Sequence, residues 1–548
     1  MEAVDQLDEI MSCRLDAGRR TAQPCTVVIF GASGDLTARK LIPALCHLCA
    51  ENQLPNPFRI VGFARRPKSS EAWRAELREA IFSRSAEFDA AQWDAFATNL
   101  FYCAGEFGDA AAYQKLRAQL ESFGNELLRR NLVFYLATSP SQFAEVAGQL
   151  RQAGLLARND GGNGGARLVV EKPFGYDLAS ARKLNRELTR VACEKQIFRI
   201  DHYLGKETVQ NILMFRFSNS VFEQLWSRQS VEQVQITVSE NLGVGGRGGY
   251  YEGAGALRDM VQNHLLQVLA LVAMEPPVSL EAEAVRDEKV KLLKSIRPFE
   301  TGQMAGSAVR GQYGAGEMEG VKVPGYRQEP KVKADSNTET YAALRLLVDN
   351  WRWSGVPFYL RTGKRLPVAS SQVRIQFRPT PHVLFAAQCG QNLDANSLTL
   401  RLQPNEGINL RFNGKTPGTN LEIRPVRMQF DYHAEFGAYT PEAYQRLLLE
   451  VICNDSTLFI RRDEVETAWG IVDPIRLAWA GQPLAESEFY AAGTWGPAAA
   501  DEMLARRNHK WRMTSDVPAG PASGPRGAAV VPQQMAGENP GRMAAEKS

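Results

Sequence analysis

The sequence predicts a two-part chain: an α/β part with a doubly wound parallel sheet of the Rossmann type over residues 26–205, then an α+β part with a larger, mostly antiparallel sheet over 206–514. Three observations carry this. In the first part short apolar β runs alternate with amphipathic helical runs, the pattern left by right-handed crossovers between parallel strands. In the second part alternating strands follow one another with no helix between each pair, which suits an antiparallel sheet with one solvated or partner-covered face. A glycine turn at Gly31 and Gly34 ends the first strand and opens the first helix.

The elements follow in order. "TVVIF" (26–30) is the first strand and "LTARKLIPALCHLCAEN" the first helix; "FRIVGFAR" and "SSEAWRAELREAIFSR" repeat the unit. "NLFYCAG", "NLVFYLATS" and "ARLVVEKP" continue the strands, separated by helical "AAYQKLRAQLESF" and "SQFAEVAGQLRQ". In the second part the strands are "VEQVQITVSEN", "TYAALRLLVDN", "PFYLRTG", "QVRIQFRP", "SLTLRLQP" and "VRMQFDY", flanked by long helices at "ALRDMVQNHLLQVLALVAM" and "PEAYQRLLLEVICND". Residues 1–25 are expected to be an N-terminal extension. Residues 515–548, crowded with Pro, Gly and Ala, are expected to be a disordered tail.

A net charge of +3 over 548 residues makes no case for nucleic acid or an anionic membrane as partner. The N-terminus "MEAVDQLDEIMSC" is acidic where a secretory signal is basic, and the longest apolar stretch, "HLLQVLALVAM", is too short to span a bilayer, so cytoplasm is the expected compartment. Eight cysteines do not make a disulfide framework at this length. Cys46 and Cys49 share one helical face and are expected to be core thiols; no metal site is expected. Cys13 and Cys25, assigned to the extension, read as redox handles or as free exposed thiols.

The chemistry sits in a few short stretches. "VVIFGASGDLTARK" has G-x-x-G spacing, a weak signal alone, but its place between first strand and first helix suits a pyrophosphate on a helix N-terminus. Asp35 is expected to N-cap that helix. The second strand ends in "VGFARRPKSS", where NAD sites usually carry an acid; Arg65 and Arg66 suit a 2′-phosphate instead, so NADP is favoured over NAD and a plain solvated turn. "RIDHYLGKE" packs Asp201, His202, Tyr203 and Lys206 together. His264 has polar neighbours, Asp259, Gln262 and Asn263, and follows the glycine-rich "GVGGRGGYYEGAG"; it reads as part of an active-site wall, against the alternative of a satisfied core imidazole. Lys172, in "VVEKPFG", precedes a proline whose cis form would aim it into the cleft; the alternative is a surface lysine.

In their order and spacing, "GASGDL", "VEKPFG", "RIDHYLGKE", "GGRGGYYEGAGALRDMVQNHLLQ", "VRDEKVKLLK" and "RTGK" resemble the glucose-6-phosphate dehydrogenase family, over about residues 26 to 512. The resemblance implies oxidation of the C1 hydroxyl of glucose 6-phosphate to 6-phosphogluconolactone with hydride passed to NADP, the first step of the oxidative pentose phosphate pathway. It implies His264 as general base, Asp201 as the carboxylate that orients it, and Lys172 as a lysine that aligns sugar and coenzyme. His202, Tyr203 and Lys206 would hold the substrate phosphate. Glu240, Asp259 and Lys364 would complete the sugar site. Gly31, Ala32, Ser33, Gly34, Asp35, Leu36, Arg65 and Lys172 would hold the coenzyme. A homodimer or homotetramer paired through the large sheet is implied as well.

Two departures stand against full transfer. Where some members carry a substrate arginine, five positions after Lys364, this chain has Ala369, followed by Ser370. A second, structural NADP held by some members is expected to be absent: "NEGINLRFNGK" lacks a tyrosine and "MQFDY" an acid-led turn, although Arg374, Arg401 and Trp511 match. Two competing readings are an NADP-dependent oxidoreductase of a non-phosphorylated sugar and an inactive NADP-binding sensor. The first leaves His202, Tyr203 and Lys206 without a task, and the second leaves His264 and Asp201 unexplained.

Overall fold

Six short strands, β1 (Cys25–Phe30), β2 (Phe58–Ala64), β3 (Leu100–Ala104), β4 (Leu132–Leu136), β5 (Arg167–Glu171) and β6 (Ile197–Ile200), pair only in parallel, in the order β3-β2-β1-β4-β5-β6. The structure, a computed structural model, describes residues 22–84, 88–159, 165–300, 304, 306–381, 393–420, 422–437 and 441–513. The described residues up to Lys510 make one compact unit; of the second, Trp511–Ser548, residues 511–513 are described and carry neither helix nor strand. The expected tail at 515–548 and Cys13 lie outside the described residues, as does most of the expected extension.

Parallel strands need crossovers that cover both faces, which is why these strands read as unbroken apolar runs. In β1, Val28 and Phe30 enter one core with Val61, Phe134 and Leu168, while Val27 and Ile29 enter another with Ile60, Val133 and Val169. The second core is closed by a helix from far along the chain: Leu447, Leu448, Val451 and Ile452 of Ala443–Cys453 lie in it. The strand order reverses between β1 and β4, so a crevice opens at the carboxyl ends of these strands. Gly31 stands at that point.

The larger sheet has nine strands: β7 (Val231–Ser239), β8 (Ala308–Gly314), β11 (Tyr341–Leu347), β12 (Pro357–Gly363), β13 (Ser370–Phe377), β14 (Ser397–Gln403), β15 (Gly407–Lys415), β16 (Ile423–Asp431) and β17 (Phe489–Ala491), in the order β16-β15-β14-β13-β7-β12-β11-β8-β17. A separate hairpin joins β9 (Gly316–Met318) to β10 (Val321–Val323). Alternation sorts the large sheet's faces. Val234, Ile236 and Val238 pack with Leu265, Leu266 and Leu269 of the long helical segment, while Gln233, Gln235 and Thr237 line the opposite, polar side. Two pairings break the antiparallel rule, β7 with β12 and β8 with β17. Because Ser239 pairs with Gly363 in parallel, Glu240 and Lys364 leave their strands side by side.

Three expectations are corrected. Asp35 does not cap the first helix: its carboxylate lies 2.5 Å from Arg39, one turn on. Cys25 is neither an extension residue nor a redox handle; it opens β1, fully buried, and burial pushes its thiol up to about 11. The helix expected from Ala256 to Met274 begins as a π-helix, Leu257–Leu265, and becomes α-helical only at Leu266–Ala273. Cys46 and Cys49 are free thiols, and burial raises both, Cys46 to about 12. Among the described residues no helix is long and apolar enough to cross a membrane.

Candidate active site

The site is built around the π-helix. Its seat is Glu339, whose backbone oxygen accepts from Ala256 N–H (2.9 Å) and whose Oε1 accepts from Leu257 N–H (3.0 Å). The π-helix's i→i+5 bonding brings residues five apart round to one side. Asp259 and His264 are such a pair, and both meet Lys172. The lysine leaves the end of β5 through a cis bond to Pro173, and its Nζ lies 3.1 Å from Asp259 Oδ1 and 2.7 Å from His264 Nε2.

The next strand, β6, delivers Asp201. Its Oδ1 lies 2.5 Å from His264 Nδ1 and accepts a second bond from Tyr203 N–H at 2.9 Å. An ionised carboxylate only accepts, so Nδ1 carries the proton and Nε2 presents its lone pair to Lys172. Asp201 and His264 are each 1 % exposed. Burial, with Lys172, lowers His264 below the ordinary imidazole value, opposed by Asp201. Burial alone would raise the Asp201 carboxyl, but His264, His202 and Lys172 hold it well below the usual carboxylate range. The Tyr203 ring stacks on His264 at 4.2 Å between centroids, and His202 meets it edge-on at 4.7 Å. Asp201, His202 and His264 are also the one group of described residues with three donor atoms close enough to hold a metal, within 4.8 Å of one another. The 2.5 Å bond between the first and the third commits one donor atom of each to the other.

Lys206 follows one turn later. Its Nζ sits 3.9 Å over the Tyr203 ring and donates to Gln403 Oε1 at 2.6 Å. Burial lowers it to about 8, while His202, lowered to about 3 by burial and then by the charge of His264, is neutral at neutral pH. A phosphate here would meet one full positive charge from this segment, plus neutral N–H and O–H donors. Lys364 pairs with Glu240, and its Nζ lies 5.1 Å over the Tyr251 ring. These groups share one field: Glu240 acts on both Tyr203 and Lys206, and Lys364 on Asp259.

On the other side of Lys172 lies the glycine turn. Gly31 has φ +86°, and a Cβ there would meet Ala137 O at 2.3 Å. The N–H groups of Gly31 and Ala32 are both taken by Phe63 O, at 2.9 and 3.3 Å, and Ala32 is buried. The donors left for a pyrophosphate are the exposed Ser33 and the first N–H groups of the helix, at Asp35 and Leu36, which have no partner within it. Beyond β2, Arg65 is exposed and has no partner among the described residues. The turn and the free guanidinium fit a phosphorylated dinucleotide.

Sequence reasoning missed three supports. Gln403, at the end of β14, gives no signal that it would meet Lys206. Glu339 reads as an ordinary strand-end acid. Glu171 is half-buried beside Lys172 and accepts at Oε1 from the Tyr135 hydroxyl and, at 3.1 Å, from that of Tyr444, so the late helix braces the lysine's strand.

Comparison with known proteins follows the same division. A family model described as glucose-6-phosphate dehydrogenase, NAD binding domain, matches residues 28–211, and one described as glucose-6-phosphate dehydrogenase, C-terminal domain, matches residues 213–512. The glucose-6-phosphate 1-dehydrogenase of Chlamydia pneumoniae is 46% identical over 498 residues, covering 90% of this chain and 97% of its own. Glucose-6-phosphate 1-dehydrogenase 2 of Mycobacterium tuberculosis (strain ATCC 25618 / H37Rv) is 46% identical over 495 residues, covering 90% and 95%. A solved glucose-6-phosphate dehydrogenase in complex with its substrate glucose-6-phosphate superposes with a TM-score of 0.81 at 36% identity, covering 90% of this chain and 99% of that one. The crystal structure of the Mycobacterium avium enzyme gives 0.76 at 35%, covering 89% and 99%.

Proposed function

The chain belongs to the glucose-6-phosphate dehydrogenase family, and on that ground we propose that it oxidises C1 of glucose 6-phosphate to 6-phosphogluconolactone with NADP as hydride acceptor. The observation that carries the reading is the chain Asp201–His264–Lys172, at 2.5 and 2.7 Å, with the Lys206 grip beside it.

Lys206, His202 and the Tyr203 hydroxyl hold the phosphate, while Glu240, Asp259 and Lys364 take sugar hydroxyls. Together they set C1 over His264, converting a bimolecular encounter into a fixed geometry. His264 Nε2, neutral because its pKa is lowered, takes the C1 hydroxyl proton as the C1–H bond breaks. The proton stays on Nε2, and Asp201 stabilises the imidazolium so formed, worth about 10²–10⁴ in rate for a well-placed base. Lys172 meets Nε2 at 2.7 Å, the place the C1 hydroxyl takes, and Lys172 keeps Asp259 and gains the substrate. When bound, the nicotinamide of NADP supplies the electron sink for the hydride. Gly31 gives the pyrophosphate close approach, and Arg65 pairs with the 2′-phosphate, which favours NADP over NAD.

On this reading residues 26–205 bind coenzyme, braced by the late helix, and residues 206–514 supply the rest of the substrate site. Strand β16 leaves Val426 and Met428 38% and 61% exposed, which supports pairing of two copies across the large sheet in a homodimer or homotetramer; sedimentation velocity checks this. Cytoplasm is the proposed compartment, tested by fractionation. The functional test is an NADPH absorbance assay with glucose 6-phosphate against glucose, and NADP against NAD, on wild type and His264→Asn. Turnover confined to the phosphorylated sugar, and almost lost in the variant with substrate binding kept, is the expected result. Equal rates on glucose, or full rates in His264→Asn, would overturn the assignment.

A further inference from the structure

Behind the seat of the π-helix lies a cavity of about 450 Å³ that the reaction does not use. Its walls are the start of that helix, the segment 333–339, Arg310 of β8 and the last turn of the helix Arg462–Trp479. It is thus distinct from the crevice that holds Lys172, His264 and the glycine turn.

The charges around it are unevenly committed. Arg310 is spent: it forks onto Glu488 at 2.8 and 3.2 Å and donates to the backbone oxygens of Trp479 and Pro483. Glu252 Oε1 is taken by the hydroxyls of Tyr326 and Ser336, both at 2.6 Å, and Glu339 Oε1 by Leu257 N–H. The remaining acid, Asp335, is exposed. Three cationic side chains keep donors that no group among the described residues takes, Arg476 among them although Asp473 pairs with its charge. Arg258 uses only Nε, on Ala254 O at 2.7 Å, and Arg476 only Nε, on Asp473 at 2.8 Å; Lys333 has no partner among the described residues. The half-buried Trp479 also lines the cavity. Free guanidinium nitrogens match phosphate oxygens in geometry, and an indole face suits a planar body.

We propose that this cavity is a binding site for an organic phosphate, gripped by the guanidinium ends of Arg258 and Arg476 and by Lys333, with the organic body against Trp479. Occupancy reaches the catalytic groups through short covalent and hydrogen-bonded links. Arg258 is followed directly by Asp259. Glu339, at the edge of the cavity, seats the π-helix, and the next residue, Thr340, accepts from Lys364 N–H at 3.0 Å through its backbone oxygen. A ligand that draws on Arg258 therefore changes the affinity for glucose 6-phosphate, and the sugar changes the affinity for the ligand by the same factor.

The test titrates GDP and inorganic pyrophosphate by calorimetry into the full chain already saturated with NADPH and glucose 6-phosphate, a combination that cannot react and fills the catalytic crevice. Both probes are expected to bind. Lys333→Glu and Arg476→Gln should each weaken both by about tenfold or more, the loss of one charge-assisted bond, while Trp479→Ala weakens GDP alone. Lys333 is exposed, so its variant keeps the fold even where Arg476→Gln does not. Absence of binding once the crevice is full, or unchanged affinity in Lys333→Glu, overturns the proposal. Titration into the NADPH-bound chain alone still reads the cavity if the sugar assignment fails, so the two failures are told apart.

Discussion

Replacing Asp201 by Asn tests the proposed catalytic pair most directly. Oδ1 accepts from both His264 Nδ1–H and Tyr203 N–H, whereas Oδ2 is buried with no hydrogen-bond partner. In Asp201→Asn the amide oxygen will therefore take the Oδ1 place, because turning the NH2 there would set it against the Tyr203 N–H. The imidazole keeps its tautomer, and what is lost is the negative charge that stabilises the imidazolium. A hydrogen bond to a charged group contributes about 1.5–3 kcal/mol, and each 1.4 kcal/mol is about tenfold, so kcat should fall by about 10- to 150-fold with KM little changed. A flipped amide would instead put the proton on Nε2 and cost about 10⁴, as in the serine-protease triad. The pH profile gives a second readout. Asp201 raises the His264 pKa against the burial that lowers it, so in the variant the acid limb of kcat/KM moves to lower pH. Initial rates across pH on both proteins check this. An unchanged kcat, or an acid limb moved upward, would refute the pairing.

Other predictions follow from the same geometry. Lys206 loses its proton as pH rises through about 8, so wild-type kcat/KM should fall on that alkaline side. In Lys206→Met the limb disappears and KM for glucose 6-phosphate rises by about 10- to 100-fold. Arg65→Ala should weaken NADP by about tenfold or more and leave NAD unchanged, read by fluorescence titration of each nucleotide. Gly31→Ala places a Cβ 2.3 Å from Ala137 O at φ +86°, so denaturant unfolding should show a loss of about 1–3 kcal/mol and NADP titration a loss of binding.

Much was legible in one dimension because the signals are local. Apolar runs of two-sided strands, spaced by amphipathic helices, are the direct imprint of a parallel sheet, and Gly31 before a helix marks the turn. One miss lay within a single helical turn, and the others needed a neighbour elsewhere in the chain. Asp35 has the residue type of a cap, but Arg39 offers its carboxylate a full charge. Cys25 precedes the alternating pattern yet is drawn into β1 by Phe58 of β2. Gln403 meets Lys206 across 197 positions.

The sequence by itself determined which chemical groups are present: an imidazole, carboxylates, lysines and the glycines of one turn, with enough strand and helix periodicity to bring them to the ends of two sheets. Only the tertiary structure decided that Asp259 and His264 face the same lysine, because a π-turn replaces the α-period the sequence suggests. It also decided the protonation states. A pKa depends on burial and on every charge nearby, and those come from strands β5, β6, β7 and β12 meeting in space, which no stretch of residues records.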